Sequence, residues 1–90
     1  MRTELDAWLP VGAAVTSYDY EVRTEAGELF HAYEGKFGGA PRQPFPIRVT
    51  MPPGRYSVVF RAGDDLEGRA SFTVSTEPAD AAVRVDVRAR

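Results

Sequence analysis

Residues Ile47–Val74 read IRVTMPPGRYSVVFRAGDDLEGRASFTV, and the alternation in this stretch decides the fold class. Tyr56, Val58, Phe60 and Ala62 fall on one parity, while Arg55, Ser57 and Arg61 fall on the other. That is the period-two pattern of a strand with one apolar and one polar face. Pro52-Pro53-Gly54 launches the strand, because proline donates no ladder hydrogen bond and glycine reaches backbone conformations closed to other residues. Gly63-Asp64-Asp65-Leu66-Glu67-Gly68 reads as the hairpin loop that ends it. A second strand follows, with Ala70, Phe72 and Val74 inward and Arg69, Ser71 and Thr73 outward.

Working outward, Thr76-Glu77-Pro78-Ala79-Asp80 reads as a turn. Beyond it, Val83, Val85 and Val87 alternate with Arg84, Asp86 and Arg88. Toward the N-terminus, Tyr18, Tyr20 and Val22 share a parity opposite Asp19, Glu21 and Arg23. Glu25–Glu28 reads as a tight turn and Leu29–Tyr33 as the returning strand. Phe45, Ile47, Val49 and Met51 form a further apolar face, and Leu5–Leu9 reads as a first strand ended by Pro10. Nowhere do apolar residues recur at spacings of three and four over ten residues, so no helix is expected. The Gly- and Pro-rich stretch EGKFGGAPRQP, Glu34–Pro44, is long enough to carry the chain from one sheet to another. About seven strands with turn signals every ~8–12 residues predict a β-sandwich. Neither side of the crossover has enough strands to fold alone, so residues 1–90 are expected to be a single domain.

The composition narrows the function. The 90 residues are 43% hydrophobic and 27% charged, with a net charge of −2, which fits a globular domain but not a broad nucleic-acid or anionic-membrane surface. There is no cysteine and only one histidine, His31, which excludes disulfide scaffolds, Cys-ligated metals and paired-His metal sites. Ten of the eleven basic residues are Arg and Asn is absent, a bias we attribute to a GC-rich, bacterial genome rather than to arginine chemistry. No apolar run of signal-peptide or membrane-spanning length follows Met1. The expected location is the cytoplasm if the chain is complete, and the periplasm or cell exterior if it is cut from a longer protein.

Ile47–Val74 resembles the second half of bacterial transthyretin-like and carboxypeptidase-regulatory-like β-sandwich domains. In these, a strand enters a Pro-Pro-Gly-x-Tyr turn and an alternating strand, short loop and Ser-Phe-Thr-Val-type strand follow. Pro52, Pro53, Gly54 and Tyr56 match the turn, and Val58, Phe60, Phe72 and Val74 match the inward positions. Other immunoglobulin-like sandwiches use the same turn. The resemblance implies an all-β fold, a single antiparallel seven-stranded immunoglobulin-like or transthyretin-like β-sandwich. It also implies an accessory role: spacer, adhesive or carbohydrate-contacting module.

The residues that bear chemistry are few. His31, between Glu28 and Glu34, has no nucleophile motif or metal-ligand spacing around it and reads as a plain strand residue. Asp64, Asp65 and Glu67 crowd one loop without the alternating ligand spacing of a calcium loop, and read as solvated turn residues. The outward arginines read as cross-strand partners of Asp19, Glu21 and Asp86. Tyr18 and Tyr20 share the parity of Val22 and are assigned to the core. Trp8, Tyr33 and Phe37 remain as candidate contact residues, Phe37 being the aromatic expected to be most exposed. The expectation is a non-catalytic interaction module with no cofactor or metal, no nucleic-acid partner and no membrane insertion. It would bind a protein partner, or itself, through loops or an edge strand. The alternative is a carbohydrate-binding module that stacks sugars on exposed aromatic residues.

Overall fold

Alternation of apolar and polar residues persists through nearly every strand of the computed structural model, which describes residues 2–10, 15–37, 44–75 and 81–89. Among these residues eight strands run in chain order: β1 Arg2–Trp8, β2 Ser17–Thr24, β3 Leu29–Lys36, β4 Phe45–Thr50, β5 Gly54–Ala62, β6 Leu66–Val74, β7 Ala81–Asp86 and the two-residue β8 Arg88–Ala89. There is no helix among the described residues. The strands form two sheets, β4-β1-β7 and β3-β2-β5-β6-β8. Their inward residues share one core, with Leu5, Ala7, Ile47 and Val85 from the smaller sheet against Val22, Val58, Phe60 and Val74 from the larger. The arrangement is compatible with a β-sandwich.

The chain passes repeatedly between the sheets. β2 and β3 form a hairpin in the larger sheet, and β4 lies in the smaller, so the crossing expected around EGKFGGAPRQP does occur between Lys36 and Phe45. Residues 38–43 of that stretch, and the turn expected at 76–80, lie outside the described residues. Between β4 and β5 the chain crosses back at Met51-Pro52-Pro53, where Met51 is buried at 1% exposure. Here the Tyr56 hydroxyl donates a 2.7 Å hydrogen bond to the Pro52 carbonyl, which ties the new strand to the corner that launches it.

Four expectations need correction. The sheets are not wholly antiparallel, because β1 pairs antiparallel with β4 but parallel with β7, Leu5 lying opposite Val83. No hairpin joins the first and last long strands, so nothing local dictates their relative direction. The seventh strand is broken, and an eighth short element results. After Asp86, Val87 donates its N–H to the Trp8 carbonyl at 2.9 Å, and Arg88 then pairs with Glu67 in the other sheet. Gly68 is not a loop residue but lies inside β6 opposite Phe60. A Cβ on Gly68 would stand 2.6 Å from the Asp86 carbonyl oxygen, so the missing side chain is what lets the terminal strand cross over β6. Finally, β3 runs on to Lys36, three residues beyond Tyr33. Gly35 is accommodated in it because the Tyr18 ring, from the paired position on β2, covers the space where a Cβ would point.

Gly68→Ala is therefore expected to destabilise the protein by about 1–3 kcal/mol, the usual cost of forcing atoms into a filled site. A lower urea midpoint with an unchanged slope would register it.

Candidate functional site

The two sheets differ in width, and the difference produces the most distinctive surface of the molecule. The smaller sheet covers the larger only in part: Phe45 on β4 reaches over to Tyr18 on β2, with ring centroids 4.9 Å apart. β3 lies at the outer end of the larger sheet, beyond this cover. Its register sets His31 level with Val22 and Tyr33 level with Tyr20, so these side chains point to the inner face. Val22 is fully buried and Tyr20 is 6% exposed, whereas Tyr33 on the next strand is 52% exposed.

A bulge extends the strip. The β2–β3 register shifts between Val22 and Arg23, so β3 carries Phe30 as an extra residue. Phe30 turns its ring against Tyr56 at 5.5 Å, edge to face, and is itself 38% exposed. Phe30, His31 and Tyr33 thus line an open ledge backed by buried tyrosines. Tyr33 lies 6.1 Å from Tyr18 and 6.0 Å from Tyr20, and the Tyr20 hydroxyl is 3.3 Å from His31 Nε2. Burial, with Tyr18 and Tyr33 adding to it, pushes the Tyr20 hydroxyl above its ordinary pKa.

The backbone along this ledge is also available. Phe37 donates its N–H to the Thr16 carbonyl at 2.9 Å, which fixes the phase of the β2–β3 ladder. Antiparallel ladders alternate between hydrogen-bonded and non-bonded pairs. Counting back from Phe37, Gly35, Tyr33 and His31 turn their peptide groups toward β2. Lys36, Glu34 and Ala32 turn theirs to the free edge. The other outer strands are blunted: β4 carries Pro46 within it, β8 is two residues long, and the end of β7 packs over Gly68 of β6. Among the described strands that end a sheet, β3 is long and has neither proline nor a covering neighbour, while β8 pairs with only Leu66 and Glu67 of β6.

The candidate contact residues do not share a surface. Tyr33 stands on the ledge. Trp8 shares the parity of Glu4 and Asp6, opposite buried Leu5 and Ala7, and so lies on the outer face of the smaller sheet. The Arg84 guanidinium sits 4.5 Å from the Trp8 ring centre and occupies that face of it. Phe37 is not the most exposed aromatic: it is half-buried, 4.9 Å from Tyr18 and 5.0 Å from Phe45. Its glycine neighbours suggest a free loop, but the contacts across from β2 and β4 are tertiary and leave no local signal. Phe30 and Leu29, the latter 55% exposed, were missed as exposed residues because alternation says which face a residue takes and not whether that face is covered.

The charged residues are mostly engaged with one another. On the outer face of the larger sheet, Arg61 reaches Asp19 at 3.0 Å and Glu21 and Glu67 at 3.5 Å each. Arg23 adds a 2.9 Å bond to Glu21. That bond leads in holding the Glu21 carboxyl below its ordinary range, partly offset by desolvation and reinforced by the charges of Arg23 and Arg61. Arg48, Arg55, Arg69 and Arg84 meet Glu4, Glu25, Glu67 and Asp86 respectively. The acidic loop is divided, since Glu67 lies in β6 among these ion pairs while Asp64 and Asp65 are exposed in the turn. His31 is level with Val22, four residues along β2 from the Tyr18–Ala62 pair that precedes that turn, or about 13 Å. The structure therefore does not assemble His31 with Asp64 or Asp65. Among the described residues, no group of three or more His, Asp or Glu side chains is placed to hold a metal ion.

Asp6, on the face that bears Trp8, is strained electrostatically. Its Oδ1 is buried without a hydrogen-bond partner. Burial, then a hydrogen bond with Glu4 and the Glu4 charge, raise its pKa above the ordinary value, with Arg48 opposing. A carboxyl whose folded-state pKa is raised costs stability above that pKa, and the cost fades as pH falls through it. Asp6→Asn is expected to raise the thermal midpoint at pH 7. The gain should shrink below the carboxylate range, as thermal scans from pH 7 to pH 3 will show. No protein-family model matches the chain, and no curated protein matches it either.

Proposed function

We propose that this protein is a non-catalytic interaction module that binds a protein strand along the free edge of β3. The observation that carries the reading is the coincidence, on one strand, of outward peptide groups at Ala32, Glu34 and Lys36 with the exposed Phe30 and Tyr33 rings. An extended segment added there would continue the ladder through its backbone and rest alternate side chains on the ledge, which is strand addition. The proline, shortness or packing of the other outer strands supports the choice of β3 over them.

The wider reading is an accessory domain of the transthyretin-like or another immunoglobulin-like β-sandwich class. The Pro52-Pro53-Gly54-x-Tyr56 corner, with its Tyr56-to-Pro52 hydrogen bond, supports it. A carbohydrate-binding role has less support, because Trp8, Tyr33 and Phe37 do not form one planar row.

A displayed library of extended peptides, selected against the immobilised domain, tests the reading. Selected peptides are expected to shift the amide resonances of Ala32, Glu34 and Lys36. They should bind about tenfold more weakly, or worse, to Ala32→Pro, which removes an edge donor where proline is tolerated. Peptides that map to the loops or outer faces would overturn the proposal, as would a glycan-array signal abolished by Tyr33→Ala.

A further inference from the structure

On that reading, we infer that the strand seated on β3 is β3 of a second copy of this chain, paired antiparallel about a twofold axis at Tyr33. Two copies related by an axis normal to the sheet keep inner face beside inner face only when paired residue numbers share parity. Four such registers use the unbulged part of the strand, centred on Ala32, Tyr33, Glu34 or Gly35, and the last pairs only residues 34–36 of each copy where centring on Tyr33 pairs residues 31–35. Centring on Glu34 sets that carboxylate against its own copy, which is unfavourable across a pair. Centring on Ala32 opposes Glu34 to the bulged Phe30 and leaves one regular hydrogen-bonded pair. Centring on Tyr33 avoids both faults.

In that register Ala32 lies opposite Glu34 of the second copy, and Glu34 opposite its Ala32. These are the residues whose N–H and C=O groups turn to the edge, so each pair exchanges both its backbone hydrogen bonds. On the inner face, Tyr33 meets Tyr33 of the second copy at the axis, and His31 meets its Gly35. Gly35 has no side chain to oppose the imidazole, and the Tyr18 ring that covers it extends the apolar surface. No like charges face each other between His31 and Gly35, and Lys36 comes level with Phe30. The two five-stranded sheets join into one, and the exposed faces of Phe30 and Tyr33 gain a cover that the smaller sheet does not provide.

The chain contains no cysteine, so a single introduced thiol reports the register directly. Tyr33 is part of a non-hydrogen-bonded pair at the axis, where Cα atoms stand about 4.5 Å apart, within disulfide range. Tyr33→Cys is expected to give a disulfide-linked dimer under mild oxidation, and Ala32→Cys or Glu34→Cys, each facing a different residue, at least about tenfold less. Sedimentation of the unaltered chain, which depends on no variant folding, should show a monomer–dimer equilibrium. Ala32→Pro should weaken it about tenfold or more with the circular dichroism spectrum retained. A monomer at millimolar concentration overturns the inference, as does faster crosslinking at position 32 or 34. If the chain is monomeric yet selected peptides still bind the β3 edge, only the second copy as partner is lost. If neither the second copy nor peptides bind there, the edge reading falls with it.

Discussion

The hydrogen bond from Val87 to the Trp8 carbonyl is the point on which the rest of the arrangement turns. It holds the terminal strand against the smaller sheet up to Asp86 and releases it one residue later to pair with Glu67 in the larger. One side of the molecule is closed by this switch, since the same chain segment belongs to both sheets. The closure requires β6 to yield room, which it does at Gly68 by having no side chain under the Asp86 carbonyl. Val85 and Val87, on either side of the switch, are 1% and 3% exposed, so the crossing is anchored by burial as well as by its hydrogen bonds.

Closing one side leaves the other open. The smaller sheet has three strands against five, and its outermost, β4, ends its reach at the aromatic cluster of Phe45, Tyr18, Phe37 and Phe60. Beyond that cluster, among the described residues, no strand of the smaller sheet opposes the inner face of β3. Its aromatic residues continue the core chemically, yet they stand in water. The outer face of the same sheet presents the opposite character, with Arg61 gathering three carboxylates and little apolar surface. The exposed pairs there add little stability individually. Their value to the fold is in keeping that face soluble while the ledge stays apolar.

Much of this was legible from alternation alone. The faces of β2, β5, β6 and β7 follow from Tyr20 and Val22, Val58 and Phe60, Phe72 and Val74, and Val85, because each lies within one strand. What alternation does not contain is the partner. The parallel pairing of β1 with β7 joins residues nearly eighty positions apart, and Gly68 looks like a loop residue until Asp86 is placed above it. Tyr20 and Tyr33 are directly paired and face the same way, but one is buried and the other exposed. The difference lies in the width of the opposing sheet, which no local pattern encodes. For the candidate site, Tyr33 was recognisable as an aromatic on a returning strand. Phe30 was not, since the bulge that turns it inward leaves no mark in the composition.

The parallel alignment of β1 and β7 has a mechanical consequence. The start of β1 and the end of β7 lie at opposite ends of one ladder, with Thr3 opposite Ala81 and Trp8 opposite Asp86. Tension drawn through these two ends pulls the strands lengthwise past each other, so it loads every rung together instead of peeling them apart in turn.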